Sequence, residues 1–422
     1  MVRLVLASVV ISVSTLLIAA AGFAEPPTPQ NPTYPIQLGA SDLRTPLFPH
    51  LRYLTLDLLS SDTKTALNRE AEAALSGNAN AVQALSTIVS VPRWSGAFPF
   101  DGPVQPFIMV GNSPQTTGKT FINAQLVPIT LVFDGFINPL TGTTAVIKAG
   151  PVVAKILAGP DFAKASYSAG FVQFADAVQR AEFQPVRLPG WHTILNPPTV
   201  LTPLRIHVPS SVVNLFQLPD GRLFCLLDAT FLQDELNALL SSEPLTPRRL
   251  RIFLVRNTFL FENGNPSDCC IAGFHEAADV VSGGDTLVQT LAYATWINSD
   301  VAGTLFGDAS RSDVVALSHE ISEWMNDPFA MNAVNPPWQS PGASGPCPSP
   351  PGEQGLLETG DPVEVLAPGL VTFPVTIRGF IYHPQNEALL QWFAQVVPSN
   401  ALDGAYSYPN ESSLTSPSVS CP

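Results

Sequence analysis

Proline sets the first limit on this chain. There are 42 prolines in 422 residues, about twice the usual share. Each fixes φ and withdraws a backbone donor, which favours turns over long regular elements. The expected product is a set of short elements joined by turns and irregular connections. Disorder is excluded, because 45% of the residues are apolar and supply a core. Charge is scarce: Asp, Glu, Lys and Arg make up 13%, about half the ordinary share. Acids outnumber bases 34 to 20, for a net charge of −14. A nucleic-acid partner needs a basic face, so that class is excluded.

The N-terminus carries an export pattern. Arg3 precedes a charge-free, mostly apolar stretch from Leu4 to Ala21, followed by Gly22-Phe23-Ala24. A positive start, an apolar middle and small residues at −3 and −1 predict a secretory signal peptide over 1–24, cut before Glu25. The alternative is an uncleaved anchor of near-minimal spanning length. No later stretch is as apolar, so a secreted (extracellular or periplasmic) mature chain with no membrane partner is expected. Cysteine usage agrees. Cys225, Cys269, Cys270, Cys347 and Cys421 all lie in the C-terminal half, where an oxidising compartment allows two disulfides and leaves one thiol. The adjacent Cys269 and Cys270 are expected to bond to separate distant partners, since neighbours close only a strained ring. No Cys-x-x-Cys spacing marks a cysteine-based metal site.

Residues 25–49 are Pro-rich and read as an extended linker. Residues 50–90 read as a helical segment interrupted near Gly77, and could be a prosegment, a cap or the first helices of the domain. Residues 91–245 read as β-rich with one or two helices. Val127–Phe133 is a short apolar strand, with Asp134-Gly135 and Thr141-Gly142 as turns. Phe171–Phe183 is an amphipathic helix with Phe171, Phe174, Ala175 and Val178 on its buried face. Strands are expected at Leu204–Val208, Arg222–Leu227 and Arg251–Phe261, and a helix at Phe231–Leu240.

The chemistry concentrates in 246–422. Ser310-Arg311-Ser312-Asp313 reads as a helix start, with a hydroxyl cap and an acid in the first turn. Val314, Leu317, Ile321 and Trp324 recur at helical spacing and face the core, and Asn326-Asp327-Pro328 ends the helix. Inside it lies His319-Glu320-Ile321-Ser322-Glu323. That pentapeptide resembles the His-Glu-x-x-His motif of zincin metallopeptidases, with Glu323 in place of the second histidine. Positions i and i+4 share a helix face, so His319 and Glu323 can offer a nitrogen and an oxygen to one ion. Glu320 stands about 100° round the helix, where it can act as general base on a metal-bound water. A carboxylate is a legitimate zinc ligand, although it softens selectivity toward other divalent cations. A later acidic cluster, Glu358-Thr359-Gly360-Asp361, follows a Pro/Gly-rich loop and can fold back with a third ligand, Asp361 or Glu358.

These readings give an α/β (α+β) chain: a zincin-like half with a mixed sheet and an active-site helix, preceded by a β-rich N-terminal half. The leading function is a metal-dependent hydrolase with a peptide or protein substrate and zinc or another divalent cation. The alternative is a non-catalytic extracellular protein in which a metal or charge cluster staples the helix to the 340–361 loop.

Cys269-Cys270-Ile271-Ala272-Gly273-Phe274-His275, Tyr293-Ala294-Thr295-Trp296, Val314–Pro328 and Glu358-Thr359-Gly360-Asp361 together resemble the EXORDIUM / phosphate-induced protein family. The resemblance covers residues 265–365 and implies secretion and a shared helix-plus-acidic-loop site. The chain departs from that family's pattern in lacking a Cys and a glycine-rich run shortly after Asp361.

The other histidines bear on the site less directly. His275 opens a second His-Glu-x-x-acid pattern, His275 to Asp279. It is either a loop histidine beside a disulfide, a fourth ligand, or part of a second site. His192 and His207 read as core or turn residues, His50 as a cap neighbour and His383 as a turn residue. Trp392-Phe393 with Tyr406 and Tyr408 reads as core and not as a sugar-stacking surface. No Gly-x-Ser-x-Gly elbow is present, and Ser113 replaces the first glycine that a phosphate loop around Lys119 would need.

Overall fold

A computed structural model describes residues 37–38, 48, 51–53, 58–78, 83, 87–100, 103–242, 244–342 and 353–420. The expected signal peptide, nearly all of the expected 25–49 linker, His50, Cys347 and Cys421 lie outside the described residues. None of the described helices is long and apolar enough to cross a membrane.

In chain order the first helix is α1 (Ser61–Glu72), capped by the Ser60 hydroxyl, which accepts from the Thr63 N–H at 3.3 Å. A 3-10 turn carries it to Gly77, at φ 74°, the interruption expected there. A hairpin follows, β1 (Arg93–Pro99) with β2 (Val104–Val110). Next comes β3 (Lys119–Ile137), 19 residues long and not the short Val127–Phe133 strand expected. Asp134-Gly135 lies inside β3 instead of forming a turn, where its register with the Thr144–Lys148 strand shifts, as at a β-bulge.

Helix α2 (Phe174–Glu182) is shorter than the expected 171–183. Gln173 is extended, which leaves Phe171 in a small strand and 65% exposed, off the buried face predicted for it. The elements that build the main sheet and the site are β4 (His192–Leu195), β5 (Val213–Gln217), β6 (Leu223–Asp228), α3 (Ala229–Ser242), β7 (Arg249–Arg256), β8 (Thr258–Phe261), β9 (Cys269–Ser282), β10 (Asp285–Trp296), α4 (Ser299–Phe306), α5 (Val315–Asn326) and α6 (Asp361–Glu364). The single strand expected over 251–261 divides into β7 and β8 because Asn257 takes φ 48°, a left-handed backbone that ends a ladder. Leu204–Val208 forms a strand as expected and runs parallel to β3.

The molecule is mixed α/β around one large curled sheet, ordered β5-β6-β8-β9-β10-β7-β3-β4. Pairs β10/β7, β7/β3 and β3/β4 are parallel, while β8/β9 and β9/β10 are antiparallel. The sheet is continuous across residue 245, since β3 from the first half pairs with β7 from the second. Strand β7 is buried from Leu250 to Val255, because apolar groups cover both sheet faces. Leu250, Ile252 and Leu254 pack with α2, α4 and α5 on one side. Phe253 and Val255 pack with α3 through Leu232, Leu236 and Leu240 on the other. Period-two alternation divides one strand between two cores.

Cys269 and Cys270 are bonded to each other, which corrects the expectation of separate distant partners. The third described cysteine, Cys225, is buried in β6 with its thiol on the Thr258 hydroxyl at 3.7 Å. The sheet therefore offers the pair no other described sulfur.

Candidate metal centre

Helix α5 carries the site, and all 12 of its residues are buried. It lies on β9 and β10, against α2 and β2. Val314, Leu317, Ile321 and Trp324 point into the core as predicted. The helix begins at Val315, not at 311, and Val314 caps it without a side-chain bond. Asp313 is the cause. It takes φ 48°, so it cannot sit in a first helical turn. Its carboxylate instead accepts from the Val314 N–H at 2.7 Å, the His383 N–H at 2.8 Å and His383 Nδ1 at 2.6 Å. The other end matches the prediction. The helix stops at Asn326, with the Asp327 N–H still reaching the Glu323 carbonyl at 2.6 Å, before Pro328.

One turn apart on this helix, His319 Nε2 and Glu323 Oε2 lie 3.0 Å apart. Asp361 Oδ1, at the start of α6, is 3.6 Å from the same nitrogen. The three ligand atoms lie within 4.8 Å of one another. Gly360 makes this approach feasible: a Cβ there would overlap the His319 ring. Its N–H also donates to Glu323 Oε1 at 2.9 Å, which fixes the carboxylate and turns Oε2 toward His319. The Gly360 carbonyl is in turn held by Gln385 Nε2 at 2.8 Å, and Gln385 by the Ser318 hydroxyl at 2.9 Å.

Glu358 goes elsewhere. Of the two acids proposed for the third ligand, Asp361 reaches His319, whereas Glu358 Oε2 lies 3.9 Å from His275 Nε2. The acids sit three residues apart on either side of the Gly360 bend, so they address different imidazoles.

Glu320 is fully buried. It packs on β9 at Gly273, where a Cβ would occupy the space of its carboxyl. Its Oε2 is 3.4 Å from His275 Nδ1. Gly273 and His275 are two apart on one strand and so share a face. His275 is thus a buried strand residue and not a loop histidine. A second set of three ligand atoms, from His275, Glu320 and Glu323, lies within the same 4.8 Å limit. Sequence reasoning left His275 open, although a histidine closing the apolar run Cys269–Phe274, two residues after a glycine, was the available signal.

Burial and charge oppose each other here. Burial pushes the Glu320 carboxyl up to about 7, against the pull of His275 and His319. For Glu323 burial also raises the pKa, but His319 and His275 together outweigh it and hold it at about 2. Burial lowers both imidazoles, yet Glu323 lifts His319, and Glu358, Glu320 and Glu323 lift His275 well above the ordinary value. Four carboxylates surround two imidazoles (Glu320, Glu323, Glu358, Asp361; His275, His319). With all four acids ionised, even two protonated imidazoles leave such a cluster negative, and in a dry interior that charge is offset either by a proton on a carboxyl or by a cation. His and Glu groups here lie close enough together that they could hold a metal ion.

The other described histidines, His192, His207 and His383, fall outside this centre. His192 Nδ1 pairs with Asp176 at 2.7 Å beside α2. His207 alternates outward on its strand, 61% exposed, and pairs with Asp134, which corrects its reading as core or turn. Trp392, Phe393 and Tyr406 are buried together with Trp338 and Trp191, and Tyr408 is buried in the core beside α2 and α5, as the core reading has it.

No family model, no curated protein and no solved structure matches this chain, so the resemblance to the EXORDIUM family draws no support from those comparisons.

Proposed function

We propose that this chain is a secreted metal-dependent hydrolase with a peptide substrate, in which His319, Glu323 and Asp361 hold a zinc ion and Glu320 serves as general base. The observation that carries this reading is the convergence of the three ligand atoms, with separations of 3.0 and 3.6 Å from His319 Nε2. Zinc bonds of about 2.0–2.1 Å in a tetrahedron place neighbouring ligand atoms about 3.3–3.4 Å apart, and the two distances bracket that edge. The ion would supply an acidified water and polarise a carbonyl. The zincin-like reading of 246–422 rests on this same helix motif, and secretion rests on the pattern over 1–24.

Burial favours a second reading. His319 and Glu320 are 0% exposed, and the Asp361 side chain, at 11%, is the most open of the ligands. On this reading the ion staples α5 to the 358–361 loop and catalyses nothing.

One experiment separates the two. The mature protein is purified without chelator, its zinc is counted, and cleavage of a peptide library is followed for wild type and Glu320→Gln. The hydrolase reading expects bound zinc in both and cleavage in wild type alone, at equal thermal stability. Zinc without any cleavage, together with a large loss of Tm in chelator, supports the staple. A protein that retains no divalent ion sinks both.

A further inference from the structure

We propose that the centre takes a second divalent cation, bound by His275, Glu320 and Glu323, with Glu323 Oε2 shared between the two ions. This rests on the first ion's place among His319, Glu323 and Asp361. The argument begins at the far side of the His275 ring. Its Nε2 is 3.0 Å from the Asp327 carbonyl oxygen, and a carbonyl only accepts, so Nε2 carries the proton. A neutral ring then presents Nδ1 as a lone pair. That lone pair faces Glu320 Oε2 at 3.4 Å and Glu323 Oε2 at 3.6 Å. Three electron-rich atoms converging in a dry interior repel unless positive charge lies between them.

A proton on Nδ1 is one candidate. It would draw an oxygen in to about 2.7–2.9 Å, the length of a charge-assisted hydrogen bond. Neither oxygen comes that close. The separations match instead the edge of about 3.3–3.4 Å that metal bonds of about 2.0–2.1 Å require. Glu320 adds an independent observation. It is fully buried, and among the described residues neither of its oxygens accepts a hydrogen bond, while Gly273 leaves the room it needs. Glu323 is placed to bridge: Oε1 is held by the Gly360 N–H, and Oε2 lies 3.0 Å from His319 Nε2 and 3.6 Å from His275 Nδ1. Charge agrees. With neutral imidazoles, the four carboxylates of the cluster are cancelled by two divalent cations and not by one. Two ions about 3.5–4 Å apart form the clamp of many hydrolytic sites, where they stabilise the attacking and leaving oxygens. Glu320 then becomes a ligand, and its loss removes an ion as well as activity.

The test is a metal count on the mature full chain loaded with zinc and desalted, read by native mass spectrometry. Two zinc ions per chain are expected in wild type, and one in His275→Ala and in Glu320→Gln. Loading wild type with manganese should give the electron paramagnetic resonance signal of an exchange-coupled pair, a readout that needs no variant to fold. One zinc in wild type, still present in Glu320→Gln, with an uncoupled manganese signal, overturns the second ion and leaves the single-ion reading standing. No zinc in any form overturns both.

Discussion

Two buried acids in this molecule are neutralised in opposite ways. Glu70 on α1 meets Arg93 on β1 through two parallel bonds, Nε to Oε1 at 2.8 Å and the second guanidinium nitrogen to Oε2 at 2.7 Å. The Ser90 hydroxyl takes a third Arg93 nitrogen at 2.6 Å. That acid is balanced one to one by a permanent cation in a bidentate fork. Around Glu323 the basic partners are two imidazoles, which face four carboxylates. A structural pair is closed to ligands by its own cation. A centre built of groups that can shed protons is one that a metal ion can enter.

The comparison breaks first at Arg93. Arg93→Ala leaves Glu70 charged at 1% side-chain exposure, and removing one partner of a buried pair costs about 3–5 kcal/mol. The double change Arg93→Leu with Glu70→Leu should recover most of that loss in urea unfolding. Chelator should move neither value. If the single and double variants unfold at the same urea concentration, the pair is not the closed unit described.

Gly360 gives a smaller effect that is specific to the metal centre. Gly360→Ala forces its Cβ against the His319 ring at an ordinary backbone φ of −82°, so the cost is steric alone. Overpacking of this kind costs about 1–3 kcal/mol, and if His319 ligates the proposed ion, disturbing the group that positions it should lower affinity about 10–100-fold. Gly150→Ala, where a Cβ meets nothing within 4 Å, should leave zinc affinity unchanged in the same titration. Equal affinity in both variants would remove Gly360 from the centre.

These two regions were not equally readable in the sequence. His319 and Glu323 were legible because helical spacing alone puts i and i+4 on one face, and Pro328 announced the helix end. The start was not legible: Asp313 leaves the helix for a contact with His383, 70 residues on, and no local signal carries that. His275 and Gly273 stayed ambiguous for the same reason, since their partner Glu320 is 45 and 47 residues away and meets them only once α5 lies on β9. The length of β3 was hidden by its ends. Lys119 to Ala124 alternates exposed and buried, and the polar half of that alternation, with Asp134-Gly135 beyond, reads as loop when its neighbours in the sheet are unknown. The vicinal disulfide was hidden because neighbouring cysteines close only a strained ring, whereas the fold buries Cys225 against Thr258.

Glu182 sharpens the comparison with a third solution, because it is neutralised by a proton. It ends α2, and Asn326 Nδ2 donates to its Oε2 at 3.3 Å, but no cation reaches it among the described residues. Burial pushes its carboxyl up to about 8, against bonds from the Leu390 backbone and Asn326. Below the ordinary carboxyl pKa near 4.5 both the folded and unfolded chains hold this proton, and the group has no effect on stability. As pH rises from there toward 8, the unfolded chain ionises while the folded chain does not. Folding then takes up a proton, so stability falls across that window and levels off above it. The slope from one such group cannot exceed about 1.4 kcal/mol per pH unit. Glu182→Gln keeps the shape and removes the titration, so Tm measured from pH 5 to pH 8 should fall less steeply than in wild type. Asp161 and Glu364, also raised by burial to about 8 and about 7, keep part of the wild-type slope in the variant. The same scan at the metal centre should run the other way in the presence of zinc: protons compete with the ion for His319 and Glu323, so the zinc-dependent gain in Tm should shrink as pH falls. A Glu182→Gln curve that overlays wild type would show that this acid is ionised in the fold and that some cation outside the described residues reaches it.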